Sequence, residues 1–366
     1  MSKFIVSGGG TGGHIFPAIA IANAIKRKQP DADILFVGAE GKMEMEKVPA
    51  AGYKIEGLPV RGFQRRLTFS NISVVIKLFQ SMHKAKMIIK DFKPDVVIGV
   101  GGFASGPLLK EAQKLGIATL IQEQNSYAGV TNKLLAKKAD KICVAYENME
   151  QFFPADKIII TGNPVRQNIL ENINVKKEEA YQYFNIQANK KIILIVGGSL
   201  GALTINESIH KGLDKFVNED MQIIWQTGKS YYSNTQKVEE DYKEKGIVVT
   251  DFITRMDLAY AIADVVISRA GASTVSELGL IHKPAIFVPS PNVAEDHQTK
   301  NAMALIQKDA AMMIEDNKAR AELVDAAIEL VKDDFRMNIY QKNIASMGIK
   351  NSADTIADEV FKLIKD

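Results

Sequence analysis

Cys143 is the only cysteine in 366 residues, which leaves no disulfide framework, no cysteine zinc site and no CxxC redox pair. The five histidines, His14, His83, His210, His282 and His297, show no H-x-x-x-H or similar spacing, so no metal is expected. No G-x-x-x-x-G-K-[ST] occurs, which excludes a P-loop kinase or ATPase. No apolar run approaches the ~18 residues of a membrane span. The amino end passes from Met1 into Lys3-Phe4-Ile5-Val6-Ser7 and is broken by glycines too soon for a signal peptide. The chain reads as soluble and cytoplasmic. With 46% apolar and 24% charged residues, disorder, collagen and coiled coil are excluded. The length suggests two domains of roughly 150 residues each or a little more.

The net charge of +3 hides an asymmetry. Residues 1–163 hold 22 Lys and Arg against 14 Asp and Glu, whereas residues 164–366 hold 24 against 29. The first half should therefore meet something anionic. Its basic residues are not interleaved with a base-stacking platform or a reading helix, which argues against nucleic acid.

Short β-branched runs alternate with helical stretches in the βαβ rhythm of a parallel sheet. The first half offers strands at Phe4–Ser7, Ile34–Val37, Tyr53–Leu58, Val96–Val100, Thr119–Gln122, Lys141–Ala145 and Ile158–Thr161. The second offers Ile192–Val196, Gln222–Trp225, Ile247–Thr250, Val265–Ile267, Ala285–Val288 and Ala311–Ile314. Proline ends regular structure, so the hinge is set near Asn163-Pro164. The expected fold class is α/β, with two Rossmann-like doubly wound domains, 1–163 and 164–344, facing across a cleft. The tail from Asn338 is helical in pattern, and its last part, about 345–366, is expected to pack back on the first domain.

Glycine-rich turns recur directly after strands: Gly8-Gly9-Gly10-Thr11-Gly12-Gly13-His14, Gly99 to Gly106, and Gly197-Gly198-Ser199-Leu200-Gly201-Ala202. Ligands of open α/β sheets bind beyond the carboxyl ends of strands, and each turn opens a helix whose amides and dipole favour anions. Gly8, Gly10 and Gly13 also fit G-x-G-x-x-G, with Glu40 placed as an NAD ribose ligand would be. His14 speaks against NAD, because it projects a titratable group where the dinucleotide would lie. Asp31-Ala32-Asp33 matches a D-x-D metal motif but precedes the second strand, at the far end of the sheet, and reads as a solvated loop. The densest segment is Ser268 to Leu278. Its helix start offers amides to a diphosphate, and Glu277 one turn in can accept both hydroxyls of a ribose. Glu295 to Asn301 is a polar helix start suited to sugar hydroxyls.

Six ordered motifs then carry a resemblance: Gly9 to Pro17, Gly101 to Pro107, Glu123-Gln124-Asn125, Gly162 to Arg166, Gly197-Gly198-Ser199, and Ser273 to Glu277. Over essentially the whole chain the sequence resembles glycosyltransferase family 28, of the GT-B fold. The branch it resembles transfers N-acetylglucosamine from UDP-GlcNAc to the lipid-linked muramoyl-pentapeptide (lipid I) of peptidoglycan synthesis. The resemblance implies a hexosyltransferase without metal or other cofactor, peripheral at the cytoplasmic face of the plasma membrane, with cell-wall synthesis or division proteins as candidate partners. It sets Thr11, Gly12 and Gly13 near the donor diphosphate and Arg166 and Ser199 on the phosphates. The backbone of Ile253 would read uracil. Ala272, Ser273, Thr274, Val275, Ser276 and Glu277 would hold diphosphate and ribose, Gln298 and Asn301 the GlcNAc hydroxyls. Asn125 matches a binding asparagine, and Gly101, Gly102 and Ser105 form the acceptor diphosphate loop. Where the family often has His-Glu-Gln-Asn, this chain has Gln122-Glu123-Gln124-Asn125. A base is needed for the attacking hydroxyl, and His14 and Glu123 are the candidates. A UDP-GlcNAc 2-epimerase on the same scaffold and a non-catalytic UDP-sugar or lipid-binding protein are the competing readings.

Residues 57–90 hold seven Lys or Arg (61, 65, 66, 77, 84, 86 and 90) and no Asp or Glu. Ser70 can cap a helix there. Ile72, Val75, Ile76, Phe79 and Met82 recur at helical spacing and read as its core face. Phe63, Leu67, Val74 and Leu78 lie off that stripe beside the cations, as apolar tips presented to anionic lipid would.

Overall fold

The structure, a computed structural model, describes residues 1–60, 70–165, 169, 177–198 and 201–364, with backbone only at 70–73, 75 and 294. Two compact units are present: Met1–Arg166 together with Ile349–Asp366, and Gln167–Gly348.

In the first unit seven strands form one parallel sheet: β1 Lys3–Ser7, β2 Asp33–Ala39, β3 Lys54–Leu58, β4 Val96–Gly99, β5 Ala118–Glu123, β6 Lys141–Val144 and β7 Ile158–Ile160. They lie in the order β3-β2-β1-β4-β5-β6-β7. The second unit holds β8 Ile192–Val196, β9 Gln222–Gln226, β10 Ile247–Thr250, β11 Val265–Ser268, β12 Ala285–Phe287 and β13 Met312–Met313. Their order is β10-β9-β8-β11-β12-β13. Every expected strand is found, because strands buried on both faces read as continuous apolar runs. Both orders reverse between the first and fourth strands, the topological switch point at which doubly wound sheets bind ligands. Register aligns the strand ends there: Ser7 pairs with Gly99, and Val196 with Ser268. The glycine turns after β1 and β4 therefore emerge side by side, as do those after β8 and β11.

The tail is two helices rather than one. Asp334–Ala345 stays with the second unit, where Gly348 packs backbone to backbone on Gly279. Ser352–Phe361 lies on the helix Gly12–Lys28 of the first. Ile356, Ala357 and Val360 join Ile21 and Ile25 in one core cluster, and Phe361 meets Phe4 edge-on at 5.9 Å. Arg27–Asp354 (2.8 Å) and Lys28–Asp358 (2.6 Å) close the rim.

The helix Ser70–Phe92 corrects one expectation. Its core side carries Val74 (6% exposed), Ala85 and Ile89, extended by Ile88 and Phe92. Ile76 and Phe79 face outward, 54% and 66% exposed. Two apolar stripes compete on this helix. The one that repeats along its whole length buries more surface and wins. The stripe through Ile76 and Phe79 ends after three turns. Arg61, Phe63, Arg65, Arg66 and Leu67 lie outside the described residues.

Candidate active site

In the first unit the loop after β1 ends at Thr11, the extended N-cap of the helix Gly12–Lys28. Gly12 and Gly13 occupy its first turn, where backbone N–H groups have no partner within the helix. His14 follows. Its Nδ1 lies 3.1 Å from the Gly9 carbonyl and 3.4 Å from Thr11 Oγ1. A carbonyl only accepts, so Nδ1 carries the proton there and the neutral ring keeps its lone pair on Nε2.

The loop after β4 packs directly onto this one. At Gly101 (φ +102°) a Cβ would stand 2.7 Å from His14 Cδ2 and 2.9 Å from Nε2, and at Gly102 it would overlap the Gly9 backbone. Only glycine permits both the dihedral and the approach. Ser105, fully buried, lies 2.8 Å from the Gly101 carbonyl and 3.0 Å from that of Ser7. Its hydroxyl thus serves the loop's own backbone.

Glu123, at the end of β5, is buried and accepts four N–H groups: Asn125 N (3.1 Å), Asn125 Nδ2 (3.2 Å), Gly129 N (3.0 Å) and Asn132 Nδ2 (2.9 Å). Such a carboxylate organises the 123–132 segment. Gln122 takes the position of the family's histidine and donates to Asn163 Oδ1 (2.9 Å), while Asn163 Nδ2 donates to the Gln124 carbonyl (2.9 Å). Glu40, considered as a ribose ligand, instead pairs with Lys84 at 3.1 Å on the surface. The carboxylate that does reach the first loop is Glu44, whose Oε2 and Oε1 accept from Gly10 N (2.9 Å) and Ala39 N (3.0 Å). No sequence motif marks it.

The second unit contains a cavity of about 520 Å³ at its switch point. The turn Gly197–Gly198 after β8, Gly201 to Thr204, Arg269, Gly271, Thr274, Ser290 to Asn292, Gln298 and Asp316 line it. Gly271 caps the helix Ala272–Ile281. Ala272, Ser273, Thr274 and Ser276 are half-buried around its start, Val275 and Glu277 buried. Tyr260 donates to Glu277 Oε2 at 3.1 Å, which fixes the carboxylate near the helix's positive end. Gln298 Oε1 accepts from Ser290 N (2.9 Å), so its NH₂ is the end suited to a ligand oxygen. Asn301 is fully enclosed and donates to the Ala270 carbonyl (3.3 Å). It stands under the turn, apart from the cavity-lining residues. The Ile253 N–H is taken by Gln226 Oε1 (2.9 Å), and Gln226 Nε2 donates to Gly198 O (3.2 Å). Only the Ile253 carbonyl is then suited to a base, as an acceptor for an imide N–H. Arg166 and Ser199 lie outside the described residues.

An ion pair in the cavity wall goes unmarked in the sequence. Arg269 Nη1 lies 2.5 Å from Asp316 Oδ1 and donates to the Val288 (2.9 Å) and Pro289 (3.1 Å) carbonyls; Thr204 Oγ1 donates to Asp316 Oδ2 (2.9 Å). It joins the segments after β8, β11, β12 and β13. Among the described residues no group of three or more His, Cys, Asp or Glu is arranged to hold a metal.

The glycosyltransferase family 28 N-terminal domain matches residues 4–144, and the C-terminal domain of the same family matches 192–360. This chain belongs to glycosyltransferase family 28. A relative from Parabacteroides distasonis is 60% identical over 362 residues, 99% of this chain and 98% of its own length. One from Flavobacterium psychrophilum is 54% identical over 367 residues, covering 99% and 98%. Both are named UDP-N-acetylglucosamine–N-acetylmuramyl-(pentapeptide) pyrophosphoryl-undecaprenol N-acetylglucosamine transferase. The crystal structure of Acinetobacter baumannii MurG is similar with TM-score 0.77 at 28% identity, over 99% of this chain and 100% of that one. A UDP-GlcNAc 2-epimerase from Neisseria meningitidis, at 16% identity and TM-score 0.67, shares the fold.

Proposed function

We infer that this chain is the hexosyltransferase that moves N-acetylglucosamine from UDP-GlcNAc to the undecaprenyl-pyrophosphoryl-linked muramoyl-pentapeptide, lipid I, giving lipid II in peptidoglycan synthesis. The observation that carries this is the end-to-end match to relatives named for that reaction, on a chain whose second unit holds a polar cavity at its switch point. The acceptor hydroxyl attacks the anomeric carbon as the bond from that carbon to the diphosphate breaks. UDP leaves with the electron pair, and the hydroxyl proton passes to His14 Nε2. One displacement inverts the α-linked donor to a β-linkage. Helix N-termini, loop amides and Arg166 stabilise the departing charge. The test is to mix UDP-GlcNAc labelled in the sugar with the lipid-linked acceptor and follow label into the lipid phase. Label recovered as free epimerised sugar nucleotide, or none transferred, would sink this reading.

Glu277→Ala is expected to raise the donor KM about tenfold or more. A carboxylate on two ribose hydroxyls makes charge-assisted hydrogen bonds worth roughly 1.5–3 kcal/mol, and 1.4 kcal/mol is a decade. An unchanged donor KM would confine Glu277 to its bond with Tyr260.

The first unit docks on the cytoplasmic face of the plasma membrane. Exposed Ile76 and Phe79 on a helix that carries Lys77, Lys84, Lys86 and Lys90 support this, since basic residues near anionic lipid contribute ~1 kcal/mol each. No helix among the described residues is long and apolar enough to cross a membrane. Arg65→Glu, Arg66→Glu and Lys77→Glu combined should abolish salt-sensitive binding to anionic vesicles and turnover of the lipid acceptor, while sparing UDP-GlcNAc binding. Wild-type pelleting by the triple variant would move the docking surface elsewhere.

A further inference from the structure

Glu44 is the unexplained group of the first unit: a carboxylate 0% exposed, without an ion-pair partner among the described residues, directly under the glycine loop. An anion there repels phosphate and occupies the Gly10 N–H that a phosphate cradle would use, so it does not serve anion binding. Its geometry suggests another purpose. Glu44 Oε2 accepts from Gly10 N at 2.9 Å, and the Gly9 carbonyl accepts from His14 Nδ1 at 3.1 Å. Gly9 C=O and Gly10 N–H are the two ends of one peptide unit. A continuous chain therefore runs from carboxylate to peptide to imidazole.

We propose that Glu44 is a positioning residue for His14, holding the ring in its Nδ1–H form and supporting its positive charge through the Gly9–Gly10 peptide. The inference rests on the reading of His14 as the base. A carboxylate accepting from an amide N–H draws that amide's electrons toward its own oxygen, which makes the carbonyl a better acceptor. The better the carbonyl accepts from Nδ1–H, the more basic Nε2 becomes and the more stable the imidazolium formed by proton transfer. Acid–base triads achieve the same by direct carboxylate contact with the imidazole; here one peptide unit intervenes. Shape enforces the arrangement. A Cβ at Gly9 would overlap the Glu44 carboxylate, and one at Gly38 would come within 2.6 Å of Glu44 Cγ, so both glycines make room for this side chain.

The helix Gly12–Lys28 carries no ionisable group besides His14 before Lys26, and residues 8–13 and 99–109 carry none. Near Glu44, Glu40 is paired with Lys84 and Glu46 with Lys47. Glu44 is thus a carboxylate tied to His14 by hydrogen bonds through the Gly9–Gly10 peptide.

Nitrogen-15 NMR of the full chain without substrate tests this. Neutral His14, assigned by its loss in His14→Gln, should be protonated on Nδ1; the Nε2–H tautomer would overturn the proposal in the wild-type chain itself. In Glu44→Gln the His14 titration midpoint should fall. Standard peptide dimensions separate the two ends of the chain by on the order of 7 Å, so a Coulomb shift of roughly 0.4–1.7 pH units is expected between the aqueous and partly buried limits. The acid limb of kcat/KM should move down with it and the plateau should drop, while Glu44→Asp, which keeps the charge, should return the midpoint toward wild type. A midpoint unmoved in folded Glu44→Gln would overturn the relay and leave the base reading intact. Normal turnover in His14→Ala would sink the base reading while the tautomer and midpoint still stand. Should Glu44→Gln not fold, the wild-type tautomer and the Glu44→Asp midpoint, displaced or not, decide.

Discussion

His14→Ala is expected to lower turnover by ~10²–10⁴-fold, the range for loss of a general base, with UDP-GlcNAc binding near wild type. The reason lies in the ring's surroundings. Nδ1 is committed to the Gly9 carbonyl at 3.1 Å, so Nε2 is the nitrogen that can take a proton, and the Cδ2–Nε2 edge lies where a Gly101 side chain would otherwise stand. Glu123 is the other candidate, but its carboxylate accepts four N–H groups at 2.9–3.2 Å. Both of its oxygens are thus committed to holding the 123–132 segment. The comparison is therefore made with Glu123→Gln, whose loss should appear mainly as a lower melting temperature. Near-normal turnover in His14→Ala would transfer the proton to Glu123. Loss of melting temperature with retained turnover per folded molecule would leave His14 a structural hydrogen-bonder of the loop.

What the sequence reveals and what it hides follow from the range of each interaction. Ile192 to Val196 declares a buried strand because all five residues are apolar, and Gly197-Gly198 declares the turn after it. These are local properties. Strand order is not: that β1 lies beside β4, and β8 beside β11, depends on pairings of residues some 70 to 90 apart, as with Phe4 and Val96 or Ile193 and Val265. The glycine turns could be found by eye, but not that they emerge in adjacent pairs. Charged partners are hidden for the same reason. Glu40 has the spacing of a ribose ligand but points to Lys84, whereas Glu44, four residues later, carries no motif and reaches the loop at Gly10. Asn301 sits at a sugar-reading spacing, yet the helix His297–Ile306 turns it under Ala270. The helix Ser70–Phe92 carries two apolar stripes, and only packing against the sheet decides between them.

Asp316→Ala should strip the donor cavity of its brace. Arg269 and Asp316 are 16% and 18% exposed in their side chains, and the pair is 2.5 Å apart. Removing one member of a largely buried pair leaves the other charge uncompensated, at a cost of about 3–5 kcal/mol. The lower end is expected here, since the guanidinium keeps the Val288 and Pro289 carbonyls at 2.9 and 3.1 Å. For a unit of this size 1 kcal/mol corresponds to roughly 2–4 °C, so its unfolding should move down by on the order of 10 °C. The functional signature should be a raised donor KM with kcat at saturating donor much less affected. The pair joins segments that line the cavity, and neither of its residues is assigned to the reacting atoms. Asp316→Asn keeps an acceptor for Thr204 and Arg269 without the charge, and should fall between wild type and Asp316→Ala. UDP should restore part of the lost melting temperature in each variant, because a ligand that binds only the folded form stabilises it by RT ln(1 + [L]/Kd). If Asp316→Ala melted like wild type and bound UDP-GlcNAc as tightly, the wall would be held by its backbone alone. Arg269 would then be free to meet the diphosphate rather than to brace the loop.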